Sequence, residues 1–116
     1  MPGLQPGLTE HGDGITAIDT DLLRPQFDAC HLIVENGRAA FVDSGVNSSV
    51  PLFLATLEQK NVDPTEVDYL FLTHVHLDHA GGAGLLMQSL PPLPPELIIL
   101  LLMLSLLDIF LHSCII

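Results

Sequence analysis

Apolar positions along this chain fall into short runs up to residue 72 and one long run after residue 96. The short runs alternate or cluster over four to six positions and are rich in β-branched and aromatic residues. Residues 15–18, 29–34, 39–42 and 69–72 therefore read as strands. Glu35-Asn36-Gly37-Arg38 separates the second from the third and predicts a tight hairpin, because Asn-Gly accommodates the positive φ of a two-residue turn. Asn47 or Ser48 can cap a helix with Pro51 in its first turn. That helix runs to about Lys60 and carries Leu52, Leu54, Ala55, Leu57 and Glu58. Asp63-Pro64-Thr65 is a turn, and a second helix is expected from Gly82 to about Leu90. Residues 1–14 are rich in Gly and Pro and are expected to be loose.

The composition shifts at residue 91. Up to residue 90 charges are spread among apolar segments, but no Lys or Arg follows Lys60. Pro91-Pro92-Leu93-Pro94-Pro95 cannot continue a helix and reads as an extended spacer over residues 91–96. Residues 97–116 are nearly all apolar and read as an apolar helix long enough to cross a bilayer. Its fourteen Leu, Ile and Phe residues would favour insertion by roughly 4–8 kcal/mol together, against about 2.5–3.5 kcal/mol for the central Asp108. A selected span rarely carries an unpartnered central Asp. The preferred reading is thus a segment of separate origin, such as an altered splice or reading frame; a membrane anchor is the alternative. Asp108 and His112 share a helix face, but nothing in the sequence directs that face toward the histidines described next.

The densest chemistry lies in Thr73-His74-Val75-His76-Leu77-Asp78-His79-Ala80-Gly81-Gly82. Three of the chain's six histidines and one carboxylate fall between His74 and His79. Imidazole nitrogen and carboxylate oxygen are preferred ligands of zinc and other divalent first-row metals. If the chain stays extended past the 69–72 strand, His74 and His76 point to one side and can hold one ion. Asp78 and His79 follow where the chain must turn, and can face a second ion or complete the shell of the first. A lone His at a strand end is more often a hydrogen-bonded polar residue than a ligand. The whole H-x-H-x-D-H string after an apolar strand is much harder to obtain by chance. His11 and His31 fit no ligand spacing and read as structural. Cys30, in a strand, reads as a small core residue; with Cys114 it makes no disulfide framework.

His74-Val75-His76-Leu77-Asp78-His79 resembles the signature of the metallo-β-lactamase superfamily. Ala40-Phe41-Val42-Asp43-Ser44-Gly45 is similar to that family's earlier motif, a strand ending in Asp before a small residue and Gly. The resemblance covers about residues 15–90. It implies an α/β architecture of the α+β sandwich type: the first half of an αββα sandwich, truncated here and followed by the apolar tail. It also implies one or two metal ions, Zn2+ with Fe or Mn as alternatives. His74 and His76 would be ligands of the first metal, and Asp78 and His79 of the second. Asp78 would stand near the attacking water, and Asp43 would support the site without ligating. Family members continue beyond this motif and supply further ligands from a second half, which nothing after Gly84 resembles. The implied activity is metal-dependent hydrolysis of ester, thioester, lactone, lactam or phosphoester bonds by a metal-activated water. The alternative is a non-catalytic truncated fragment, or a tail-anchored protein, that retains a partial metal site.

At 116 residues the chain has room for one domain at most. A half-sandwich would leave one sheet face in need of a partner chain or of the missing half. The net charge is −11, with fourteen acidic groups against Arg24, Arg38 and Lys60. That balance disfavours nucleic acid and anionic lipid, and leaves a small molecule as the expected substrate. No basic stretch followed by an apolar one occurs at the N-terminus, so no signal peptide is read and a cytoplasmic location is expected, with a membrane-anchored one through residues 97–116 as the alternative.

Overall fold

The computed structural model describes residues 5–21, 28–73, 76–90 and, for the backbone, 98–100. Six strands form one sheet in chain order: β1 (Leu8–Gly12), β2 (Ile15–Asp19), β3 (Ala29–Glu35), β4 (Arg38–Val42), β5 (Val67–Leu72) and β6 (Ile98–Leu100). The first four make an antiparallel meander; β5 then lies parallel to β4, and β6 parallel to β5. A parallel neighbour needs a crossover. The first is α1 (Val50–Gln59), and the second contains α2 (Leu77–Ala80) and α3 (Ala83–Ser89). This is the mixed α/β arrangement that the family resemblance implied for the first half of an αββα sandwich.

The expected hairpin between β3 and β4 is present, with Asn36 at φ 52° and Gly37 at φ 76°. It sets a register in which Glu35 pairs with Arg38 and His31 with Val42. Alternation then puts Cys30 and Leu32 of β3 with Ala39 and Phe41 of β4 in the core, joined by Ile18, Leu70 and Leu72. Helix α1 covers this face: Val50, Phe53 and Leu57 are buried, and the Phe41 and Phe53 ring centroids lie 5.5 Å apart. On the opposite face His31, Ile33, Val42 and Phe71 are only half-buried, and Tyr69 is 41 % exposed. That incomplete cover is what a half-sandwich leaves.

Three local expectations are corrected and one is met. Part of the segment expected to be loose is β1, an edge strand pairing Leu8 with Ile18 and Thr9 with Ala17. The Gly-rich stretch is its turn, with Gly12, Asp13 and Gly14 all at positive φ. Neither Asn47 nor Ser48 caps α1. They belong to a 3-10 turn, Asn47–Ser49, and Ser49 stands at the N-cap without a side-chain cap bond. The helix expected from Gly82 to about Leu90 is present as α3, and the turn expected at Asp78 and His79 is the short helix α2. The apolar tail, expected to be helical from residue 97, is extended over Ile98–Leu100, because the open edge of β5 offers unpaired backbone groups that an apolar strand satisfies. The 91–97 stretch and residues 101–116 lie outside the described residues, and with them the rest of the helix expectation. Among the described residues, no helix is long and apolar enough to cross a membrane.

Candidate metal centre

The site forms at the C-terminal ends of the parallel strands β4 and β5, where open α/β sheets place ligands. Asp43 directly follows β4. Its N–H donates to the Phe71 carbonyl at 2.7 Å, continuing the ladder by one residue. Its φ is 65°, a left-handed conformation that Asp tolerates better than most residues. The other described non-glycine residues at positive φ, Asp13, Asp21, Asn36 and Asn61, are exposed, whereas Asp43 is buried. A left-handed residue in the core persists only where the surrounding bonds over-determine it.

That conformation aims the Asp43 carboxylate at the chain leaving β5. Thr73 donates its N–H to Oδ1 at 2.8 Å, and its hydroxyl lies 2.9 Å from Oδ1 and 2.8 Å from Oδ2. His79 places Nδ1 2.9 Å from Oδ2. The next two residues fasten α2 in place. Ser44 donates its N–H and its hydroxyl to the His79 carbonyl at 2.7 and 3.1 Å, and the Gly45 carbonyl accepts from Gly82 N–H at 2.8 Å. Gly82 must be glycine for this approach: a Cβ there would lie 2.5 Å from the Ser44 carbonyl oxygen and 2.9 Å from that of Val46.

With Nδ1 of His79 engaged by Asp43, Nε2 faces two other carboxylates. Asp78 Oδ2 is 3.1 Å away and Asp28 Oδ1 is 3.7 Å away. Ligand atoms of Asp28, Asp78 and His79 all lie within 4.8 Å of one another. Asp28 Oδ2 is buried and has no hydrogen-bond partner among the described residues. One imidazole nitrogen, two carboxylates and an unpartnered buried oxygen are a donor set that fits a divalent cation.

The electrostatics follow from these contacts. Burial pushes the Asp43 carboxyl up, but the bonds from His79 and Thr73 outweigh it and hold Asp43 below the usual carboxylate range. Asp28 moves the other way. Burial raises it, and the attraction of His79 only partly offsets that. The Asp43 hydrogen bond raises His79; burial opposes this, and the charges of Asp28, Asp43 and Asp78 add to it. Burial also pushes the Cys30 thiol far up, which suits a core residue and not a nucleophile.

Of the residues that the sequence marked, the structure brings Asp78, His79 and Asp43 together. His76 is the extended N-cap of α2 and lies outside the three-residue set; His74 lies outside the described residues. Asp28 was missed, although a signal existed. The Asn36-Gly37 hairpin pairs 35 with 38 and 31 with 42. Carried three residues further, that register sets position 28 across from Gly45, beside Asp43.

Comparison with known proteins bears on this geometry. The family model described as the metallo-beta-lactamase superfamily matches residues 23–95, more than half of the chain. Ribonuclease Z of Nanoarchaeum equitans is 37 % identical over 54 residues, which are 47 % of this chain and 16 % of that protein. Endoribonuclease YSH1 of Saccharomyces cerevisiae is 28 % identical over 60 residues, 52 % of this chain and 8 % of that protein. Among solved structures, the FEZ-1 metallo-beta-lactamase of Legionella gormanii superposes with a TM-score of 0.60 at 24 % identity. That superposition covers 77 % of this chain and 32 % of that one. The chain therefore spans a sixth or less of these curated relatives and about a third of the solved structure.

Proposed function

The chain belongs to the metallo-beta-lactamase superfamily, and from that premise we propose that it carries the metal-binding part of a metal-dependent hydrolase. His74, His76, Asp78 and His79 are the ligands in this reading, Zn2+ is the metal in one or two positions, and Asp78 is the catalytic carboxylate. The observation that carries it is the orientation of His79. Asp43 accepts from Nδ1 at 2.9 Å, which turns Nε2 toward Asp78 and Asp28.

A divalent ion bound there supplies a water of lowered pKa and polarises the oxygen under attack. The chain's own residues then divide the work. Asp43 and Ser44 hold His79 at its ring and at its carbonyl, so the imidazole cannot swing. Asp78 is 39 % exposed on its side chain and meets both the cluster and solvent. From there its carboxylate would be placed to orient an attacking water and accept its proton. Asp43, with its lowered pKa, stays ionised through this cycle.

The net charge of −11 favours a small substrate over a polyanion, because an acidic surface repels phosphate backbones. The bonds in view are ester, thioester, lactone, lactam and phosphoester. A second reading, phosphodiester cleavage in RNA, is favoured by the names of the two curated relatives. The deciding experiment measures zinc, iron and manganese per mole of purified chain, beside a His74→Ala/His76→Ala variant. The metal-loaded chain is then offered a chromogenic lactam, a thioester, a phosphodiester and a labelled RNA oligonucleotide. About one or more ions per chain, lost in the variant, is the expected result. A metal content no higher than the variant's would refute the reading.

A further inference from the structure

We propose that Asp28 is a third protein ligand, from the start of β3, for the cation held by Asp78 and His79. The proposal rests on the metal-binding reading above and adds a ligand that lies far from the histidine motif in sequence.

Geometry supports it first. Four ligand atoms at about 2.1 Å around a tetrahedral zinc lie roughly 3.4 Å from one another. His79 Nε2 lies 3.1 Å from Asp78 Oδ2 and 3.7 Å from Asp28 Oδ1, on either side of that spacing. The 3.7 Å separation is too long for a hydrogen bond between Asp28 and His79. The two groups are near neighbours without being bonded to each other, as ligands of a shared ion are.

The charge balance points the same way. Asp28, Asp43 and Asp78 surround one imidazole, so with all three ionised even a protonated His79 leaves two negative charges to offset. The chain has three basic side chains. Arg38 is paired with Asp68 and Lys60 with Glu10, while Arg24 lies outside the described residues. Asp28 Oδ2 is buried without a partner among the described residues. A buried carboxylate oxygen in that state is costly unless a proton or a cation meets it.

Asp28 is also held in place. Its carbonyl accepts from both the N–H and the hydroxyl of buried Thr20 at 3.1 Å, and Ser49 donates to the Thr20 carbonyl at 3.2 Å. The carboxylate thus projects from a backbone fastened to the core, as a ligand requires. It also borders a cavity of about 520 Å³, lined among others by Gly7, Ala17, Asp19 and Ala29. Asp28, Asp78 and His79 together make the three-ligand set of an open zinc site, with further positions left for water or substrate.

The test titrates Zn2+ and Co2+ into the full chain against a competing chelator, for the unsubstituted protein, Asp28→Asn and Asp19→Asn. Asp19 lines the same cavity outside the cluster and controls for general acidity. Asp28→Asn should weaken metal binding at least tenfold and change the visible spectrum of the Co2+ form, whereas Asp19→Asn should stay within about twofold. In the metal-free state Asp28→Asn should melt no lower than the unsubstituted chain, because the amide removes a buried charge. Equal affinity in Asp28→Asn overturns the proposal and leaves the metal-binding reading standing. Lower affinity accompanied by a lower metal-free melting temperature also overturns it, by showing a structural role. An unsubstituted chain that takes up neither ion overturns both.

Discussion

The helix-covered face of the sheet and the C-terminal edge of its parallel strands are built from the same chain segments under opposite rules. On the covered face every choice agrees. Ile18, Leu32, Phe41 and Leu70 are buried against Phe53 and Leu57. The buried polar groups there are also satisfied: Thr56 donates to the Leu52 carbonyl at 2.7 Å, and Ser49 to that of Thr20. At the edge, three carboxylates crowd one imidazole, a buried oxygen lacks a partner and Asp43 sits at positive φ. Consistency across levels is what makes a sequence fold, and local conflict concentrates where function demands it. The contrast teaches that the edge is held in place by the core and is not there to stabilise it.

The strongest way to break the comparison is from the core side. Phe41→Ala removes a fully buried ring in contact with Phe53 and should cost about 3–5 kcal/mol of unfolding free energy, read by urea denaturation. A loss under about 1 kcal/mol would mean that the core is not what holds the edge. Asp43→Asn acts at the edge instead. Asn tolerates the same positive φ, so the change removes charge and one acceptor while sparing the backbone. Metal affinity should fall roughly 10–100-fold, measured by chelator competition, with a smaller change in melting than Phe41→Ala gives.

Acid sharpens the same point. His79 is raised above its ordinary 6.5, so its proton is stabilised in the folded chain. That stabilisation is complete below the unfolded value and is lost as pH rises through the higher folded one. A cation needs the neutral ring, so metal affinity should climb over that same upward interval, traced by titration at several pH values. The smallest effect belongs to Arg38→Ala, which breaks an exposed ion pair with Asp68. It should leave both melting temperature and metal content unchanged within error.

Much of this was legible in the residues. The Asn36-Gly37 turn announced the β3–β4 hairpin because few residues other than Asn and Gly accept two successive positive φ values. The His74–His79 string marked candidate ligands by their donor types, and two of them, Asp78 and His79, stand with Asp28 in a group able to hold a cation. Strand β1 was hidden because its turn residues, Gly12, Asp13 and Gly14, resemble a loose terminus. The strand at Ile98–Leu100 was hidden because a run of Leu and Ile carries no periodicity to separate strand from helix. Asp28 stood out in no local pattern, since a single carboxylate ahead of a strand is ordinary.

By itself the sequence determined the local chemistry: which segments alternate, where the chain can turn left-handed, and which side chains can bind a cation. These depend on neighbours a few residues apart, whose spacing the backbone dictates. Tertiary structure alone decided which of those groups share a site. Asp28 and His79 are brought within 3.7 Å by a hairpin, a crossover helix and the fastening of α2 by Ser44 and Gly45. The crossover helix, Ser44 and Gly45 all lie far along the chain from both residues. Their encounter is a property of the packed sheet, because burial of its apolar face sets the register that aligns them.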